Sequence, residues 1–186
     1  MAIEAELKAV VRDPESVLEQ LEQAHGPGRP EVYYDTYYDT ADGALGTGDR
    51  ELRIRTVHSA DDTRTVLTYK GARVDEASGS KPEAETRADD AAAAHAILRG
   101  LGYAPTIELE KRCRNYDFTA DGRRFLATLV RVPELDGRTF IELETGAEEA
   151  DLAEALAAVR TVLTGLGIGD DDLTTELYTD AVAAAR

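Results

Sequence analysis

Polar and apolar side chains alternate along much of the chain, in short runs that predict β-strands. In residues 3–8, the odd positions are apolar, whereas Glu4, Glu6 and Lys8 carry charge. Successive side chains of an extended strand point to opposite faces, so these three charges would share one face. The pattern predicts a first strand with one apolar face and one charged face.

Further alternating or β-branched runs follow, and turn signals separate most of them. The predicted strands are residues 31–40, 52–58, 64–70, 81–87, 106–118, 124–132 and 139–145. Asp61-Asp62 and Asp121-Gly122 stand between neighbouring runs, where tight hairpins favour such residues. We therefore predict about eight strands, connected mainly as antiparallel hairpins.

Three other segments have helical character. Asp13 is a favourable N-cap and Pro14 suits the first helical position, and Gly-Pro-Gly at 26–28 would end this helix. The alanine-rich residues 91–101 predict a second helix, and residues 147–163 predict a third. A short terminal segment, residues 174–184, completes the chain.

A charged face recurs from strand to strand. The charged sets are Glu4/Glu6/Lys8, Arg53/Arg55, Lys81/Glu83/Glu85/Arg87, Glu108/Glu110/Arg112/Arg114 and Glu142/Glu144. The opposite, apolar faces, which could pack under the helices, include Leu52/Ile54, Leu67/Tyr69, Ile107/Leu109/Cys113 and Ile141/Leu143. Burying so many charges without partners would be costly, so they face either bulk water or a wet, ligand-filled channel.

These patterns predict an α+β fold, in which an eight-stranded antiparallel β-barrel encloses a charged tunnel and helices flank the outside. A barrel with an oily interior and a charged outer surface remains the alternative. At 186 residues, the chain suits a single domain spanning residues 1–186.

Composition narrows the classes of partner. The net charge of −16 argues against binding to nucleic acid or to a membrane surface. No apolar run approaches a membrane span of about 20 residues, and the N-terminus lacks the blocks of a signal peptide. The single cysteine, Cys113, excludes an internal disulfide and fits a reducing compartment. We predict a cytoplasmic protein.

The first strand also carries candidate chemistry. Glu4 and Glu6 would lie about 6.5 Å apart along the chain, near enough to share one divalent metal ion. Lys8 would then lie beside any anion that the metal attracts. The alternative is that all three line a solvent-facing strand edge.

Eight motifs occur in an order that resembles one known family. They are Glu4-x-Glu6-x-Lys8, Tyr37-Tyr38-Asp39-Thr40, Leu45, Leu52-Arg53-Ile54-Arg55, Thr68-Tyr69-Lys70-Gly71, Glu83-x-Glu85, Lys111-Arg112-x-Arg114 and Phe140-x-Glu142-x-Glu144. The sequence is similar to the CYTH proteins, or triphosphate tunnel metalloenzymes, which include class IV adenylyl cyclases, thiamine triphosphatases and inorganic triphosphatases. The resemblance implies a tunnel that binds a small-molecule triphosphate and one or two Mg²⁺ or Mn²⁺ ions.

The same resemblance implies roles for individual residues. The implied metal ligands are Glu4, Glu6, Glu142 and Glu144. The implied phosphate-binding residues are Lys8, Arg53, Arg55, Lys70, Lys81, Lys111, Arg112 and Arg114. Glu83 and Glu85 would hold a second metal or orient the attacking water, and Lys8 is placed with them among the catalytic residues.

Three positions depart from the family pattern. Val130 stands where many members carry an acidic residue, and Glu110 is a candidate replacement. Cys113 interrupts the basic cluster, and Lys81 stands where an arginine is common. Hydrolysis of a triphosphate is the favoured activity, because it requires only a phosphate clamp, a metal and water. Cyclisation of ATP to cyclic AMP and pyrophosphate, and a non-catalytic binding module, are the alternatives; either a monomer or a homodimer is expected.

Overall fold

The computed structural model describes residues 1–186, and its eight strands close into an antiparallel barrel. The strands are β1 (Ala2–Val10), β2 (Arg29–Asp39), β3 (Glu51–His58), β4 (Thr63–Lys70), β5 (Lys81–Ala88), β6 (Ala104–Ala120), β7 (Arg123–Arg131) and β8 (Thr139–Ala147). Their order around the barrel is β1-β5-β4-β3-β2-β6-β7-β8. The predicted α+β barrel is confirmed.

Five α-helices accompany the barrel. They are α1 (Pro14–His25), α2 (Ala44–Thr47), α3 (Ala91–Gly100), α4 (Leu152–Gly165) and α5 (Tyr178–Ala185). The Asp13 and Asp90 carboxylates accept hydrogen bonds from the Ser16 and Ala93 amides, which caps α1 and α3. None of the helices is long and apolar enough to cross a membrane.

The helix assignments differ from the prediction in two places. The short α2 was not predicted. The third predicted helix begins later than expected, because β8 continues to Ala147 and a 3₁₀ turn, Glu149–Asp151, precedes α4. The side chain of Asp151 accepts a hydrogen bond from the Glu148 amide, which stabilises this turn before the helix starts.

Strand register brings the charged faces together inside the barrel. Lys8 lies opposite Glu142 across the β1–β8 pair, and Glu6 lies opposite Glu144. Directly opposed residues of an antiparallel pair point to the same face. The charged sets of β1 and β8 therefore share the barrel interior.

The outer faces of the strands are apolar and covered by helices. Leu7, Ile141 and Leu143 are fully or almost fully buried in one cluster that includes Leu21 of α1 and Leu163 of α4. A second cluster joins the outer faces of β2 and β3 to α2 and α3. Burial of each large aliphatic side chain contributes about 1.5–3 kcal/mol. The charged tunnel, and not the charged outer surface, is the arrangement that forms.

Strand β6 reverses the predicted orientation. Lys111 pairs with Tyr33 and lies inside the barrel, where Leu109 and Cys113 are also buried. The prediction that the even-numbered charges of β6 face the tunnel is therefore wrong. The physical reason is that α5 packs into this end of the barrel, so Leu109 and Cys113 have apolar neighbours inside it.

Candidate functional site

The barrel encloses a cavity, called here the tunnel cavity, whose lining is almost entirely polar. Of its 21 lining residues, only Tyr37, Leu177 and Tyr178 are hydrophobic. The predicted site residues that line it are Glu4, Glu6, Lys8, Arg53, Arg55, Lys70, Lys81, Lys111, Glu142 and Glu144. Residues from six strands thus converge on one cavity.

Three carboxylates of the tunnel cavity form a cluster. Oxygen atoms of Glu4, Glu6 and Glu144 all lie within 4.8 Å of one another. Burial, and then the charge of Glu142, raise the pKa of Glu6 to about 7. Burial, followed by the charges of Glu4 and Glu6, raises the pKa of Glu144 well above its usual range. Because oxygen ligands suit hard divalent cations, the cluster fits Mg²⁺ or Mn²⁺.

Glu142, the fourth predicted metal ligand, has different partners. Its carboxylate accepts a hydrogen bond from Lys111 Nζ at 3.4 Å. Burial alone would raise the pKa of Glu142, but Lys111 and Lys8 outweigh it and lower the pKa to about 2. The structure therefore brings three of the four predicted metal ligands together and sets Glu142 among lysines.

Two further lysines of the tunnel cavity are paired with carboxylates. Lys70 Nζ forms ion pairs with Glu4 and, at 3.0 Å, with Glu83. Lys81 Nζ contacts Glu51 at 2.8 Å and donates to the Asp49 carbonyl at 2.9 Å. Part of their charge is thus balanced within the protein.

The two tunnel arginines differ in how fully they are engaged. Arg55 donates to both oxygens of Asp35, at 2.6 and 2.7 Å, and Asp35 is almost fully buried. Arg53 donates to the Thr68 hydroxyl at 3.2 Å, and its Nε is buried with no hydrogen-bond partner. Arg53 thus retains a free donor toward a ligand, whereas a bidentate pair with Asp35 occupies Arg55.

The exposed arginines of β6 lie outside the barrel. The Arg112 side chain is 67% exposed and contacts Glu110 at 2.8 Å, while Arg114 contacts Glu22 of α1 at 2.6 Å. The expectation that Arg112 and Arg114 line the tunnel is wrong, since both lie on the outward-facing positions of their strand. Lys111, with 5% of its side chain exposed, is the basic residue of this cluster that points inward.

Val130 stands at the position where an acidic residue was expected, and its surroundings are apolar. Val130 is fully buried in a cluster with Cys113, Phe140 and Tyr178. Glu110 lies on the outer face with Arg112, so it does not replace a carboxylate at this position. The carboxylate cluster of this protein therefore contains no residue from β7.

The two predicted catalytic glutamates of β5 lie beside the tunnel cavity without lining it. Glu83 is paired with Lys70. Glu85 is exposed and accepts a hydrogen bond from the Thr68 hydroxyl at 3.0 Å. Their role in catalysis stays a prediction.

Several lining residues were missed by sequence reasoning. They are Tyr37, Glu51, Arg73, Ser78, Gly79, Ser80, Thr174, Thr175, Leu177, Tyr178 and Thr179. Asp35, the partner of Arg55, was missed as well. Asp35 lies two residues from both Tyr33 and Tyr37 in a predicted strand and shares their face, so the period-2 pattern could have placed it on the tunnel face. The C-terminal residues carried no comparable signal.

The charged tunnel and its strand order can now be compared with known proteins. The CYTH domain model matches residues 2–178. The chain belongs to the CYTH family. A relative from Methanocaldococcus jannaschii, named "Putative adenylate cyclase MJ0240", is 24% identical over 95% of this chain and 96% of its own length.

Solved structures share the fold of this CYTH protein. The PH1819 protein of Pyrococcus horikoshii OT3 superposes with a TM-score of 0.85 and 26% identity, covering 98% of this chain and 99% of its own. The Hippeastrum protein HpAC1, described as a putative adenylyl cyclase with a dominant triphosphatase activity, has a TM-score of 0.66 and 18% identity. That comparison covers 100% of this chain and 97% of the Hippeastrum chain.

The carboxylate cluster predicts how stability depends on pH. Without divalent metal, we expect the free energy of unfolding to fall as the pH rises from about 5 to about 8. The pKa of Glu6 is about 7, above its usual 4.5, so the folded state retains a proton that the unfolded chain has released. The stabilisation that the folded state gains from the protonated Glu6 carboxyl is therefore lost as the pH rises through the pKa that Glu6 has in the folded state.

Urea unfolding with a chelator present, measured across this pH range, would test the expectation. The Glu6→Gln variant should flatten the curve, because its side chain does not titrate. A wild-type stability that is constant or rising over this range would contradict it.

Proposed function

We propose that this CYTH protein hydrolyses a small-molecule triphosphate, with Mg²⁺ or Mn²⁺ as cofactor. The observation that carries the proposal is the meeting of a three-carboxylate cluster and seven basic side chains in one tunnel cavity. Such a cavity suits a compact polyanion together with a hard divalent cation. The triphosphatase activity described for the Hippeastrum protein supports this class of reaction.

The acidic and basic residues of the tunnel cavity would have different roles. Glu4, Glu6 and Glu144 would hold the divalent ion, which supplies charge neutralisation at the phosphate oxygens. The free Nε of Arg53 would bind a phosphate oxygen, since the guanidinium group suits such contacts. Lys8 and Lys111 would bind phosphate from the side of Glu142, whose carboxylate keeps both ammonium groups in place.

Catalysis in this arrangement would rest on positioning and electrostatics. The arginines, Lys70 and Lys111 are largely buried, so their charges act on a bound phosphate with little screening by water. No nucleophilic side chain is required, because water attacks the phosphorus atom. Lys8 would stabilise the charge that develops on the phosphate oxygens.

The lining favours hydrolysis over nucleotide cyclisation. Cyclisation requires a nucleoside held so that its ribose hydroxyl attacks the α-phosphate, and a purine ring usually binds against apolar surface. The tunnel cavity offers only three hydrophobic residues. The name of the M. jannaschii relative nevertheless makes cyclic AMP the product to look for in parallel.

Product analysis tests the proposal directly. We would incubate the purified protein with Mg²⁺ or Mn²⁺ and with ATP, thiamine triphosphate or inorganic triphosphate. Phosphate, pyrophosphate and cyclic AMP would be measured in the same reactions, with a chelator as control. Metal-dependent phosphate release supports the proposal and names the substrate. Cyclic AMP with pyrophosphate would instead identify a cyclase, and triphosphate binding without any product would identify a binding module.

A further inference from the structure

The C-terminal segment contributes a side chain to the tunnel cavity that no motif indicated. Tyr178, the first residue of α5, lines the cavity and is 7% exposed. The segment before it is anchored to β1, because the Thr174 amide donates to the Lys8 carbonyl at 2.9 Å. Lys8 Nζ in turn donates to the Glu176 carbonyl. The position of Tyr178 is thus tied to that of Lys8.

The ring of Tyr178 contacts two of the tunnel ammonium groups. Lys8 Nζ lies 4.5 Å and Lys111 Nζ 4.0 Å from the ring centroid. Phe140 packs edge-to-face against the same ring at 5.2 Å. Cation–π attraction stabilises both ammonium groups at the ring, which keeps two like charges close together.

The hydroxyl of Tyr178 is buried and makes no hydrogen bond of regular geometry, although the Glu142 carboxylate is close enough to raise its pKa further than burial alone does. A buried polar group without a partner is unfavourable, and native proteins rarely keep one without reason. At neutral pH a tyrosine hydroxyl is protonated and can donate a hydrogen bond. The ammonium groups of Lys8 and Lys111 lie at the ring, and burial and then the carboxylates of Glu142 and Glu6 raise the pKa of this hydroxyl.

We propose that Tyr178 is a further phosphate-binding residue, whose hydroxyl donates a hydrogen bond to an oxygen of the phosphate group bound by Lys8 and Lys111. The inference rests on the proposed function, because it requires an anionic phosphate in the tunnel cavity. It makes the C-terminal segment part of the substrate site. The ring orders the two lysines before the ligand arrives, and the hydroxyl gains its partner when the phosphate binds.

A purely structural role for Tyr178 makes the opposite prediction. In that case α5 only closes the end of the barrel, and the hydroxyl contributes to stability through a hydrogen bond to the Glu142 carboxylate. Removal of the hydroxyl would then lower the melting temperature. It would leave triphosphate affinity unchanged.

The test is the Tyr178→Phe variant, which removes the hydroxyl and keeps the ring. Isothermal titration calorimetry with inorganic triphosphate, with and without Mg²⁺, should show affinity weakened about ten- to a hundredfold, as for a hydrogen bond to a charged group. The melting temperature without ligand should be unchanged or higher, since an unpaired buried hydroxyl is removed. The rise in melting temperature caused by triphosphate should be smaller than in the wild type.

Tyr116→Phe is the matched control. The Tyr116 hydroxyl is also buried without a hydrogen-bond partner, but its ring belongs to the outer cluster under α1. This variant should bind triphosphate as the wild type does. Weakened binding in Tyr178→Phe alone would therefore report on the tunnel cavity.

The outcomes separate this inference from the function on which it rests. Wild-type binding with unchanged affinity in Tyr178→Phe would overturn the inference and leave the proposed function standing. A lower melting temperature in Tyr178→Phe with unchanged affinity would assign the hydroxyl to Glu142 and overturn it too. Absence of triphosphate binding in the wild type would overturn both.

Discussion

Replacing Glu6 with glutamine should reduce metal-dependent turnover by at least about a hundredfold while the barrel remains folded. Glu6 belongs to the cluster in which the oxygens of three carboxylates lie within 4.8 Å of one another. An amide keeps the shape of the side chain but removes the negative charge that a divalent cation requires. Phosphate release, measured over a Mg²⁺ or Mn²⁺ titration, is the direct readout.

The stability of the same variant tests the physical reason. Without metal, Glu6→Gln should be at least as stable as the wild type at neutral pH, because the like-charge repulsion within the cluster is reduced. Added Mg²⁺ should raise the melting temperature of the wild type more than that of the variant. If the variant lost activity because it unfolded, its stability without metal would instead be lower than that of the wild type.

Glu110→Gln is the control for Glu6→Gln. Glu110 is a strand glutamate that faces outward and pairs with Arg112, so its loss should leave turnover unchanged. Wild-type turnover in Glu6→Gln would refute the assignment of the metal cluster. A large loss of turnover in Glu110→Gln would instead indicate that Glu110 takes part in catalysis.

Arg53→Ala should weaken triphosphate binding by about 2–5 kcal/mol, the usual cost of truncating one partner of a buried, hydrogen-bonded charge pair. Only 10% of the Arg53 side chain is exposed, and its Nε lacks a partner within the protein. Asp35 keeps its bidentate pair with Arg55 in the variant, so no buried carboxylate is left alone. Calorimetric titration with inorganic triphosphate measures the effect.

Arg112→Ala provides the comparison for Arg53→Ala. Arg112 is 67% exposed on the outer face of β6, and surface ion pairs contribute little. Its removal should leave triphosphate binding within experimental error of the wild type. Equal effects of the two substitutions would mean that the phosphate does not bind in the tunnel cavity.

Much of this fold could be predicted from local patterns. Period-2 alternation identified the strands, and the repeated charged face identified a barrel with a polar interior, because charges need partners or water wherever they lie. The order of the motifs indicated the family, and the family model matches residues 2–178. Strand β6 shows the limit, since it carries apolar and charged residues on both faces and alternation alone cannot orient it.

The amino-acid sequence by itself therefore determined the strands, the charged interior, the family and ten of the 21 residues that line the tunnel cavity. Tertiary structure alone decided which carboxylates converge, that Lys111 and not Arg112 points inward, and that Tyr178 completes the wall. The physical reason is distance along the chain. The Lys111–Glu142 pair spans 31 residues, and Lys8 reaches Glu176 across 168. Such contacts follow from strand order and helix docking, which local pattern does not encode.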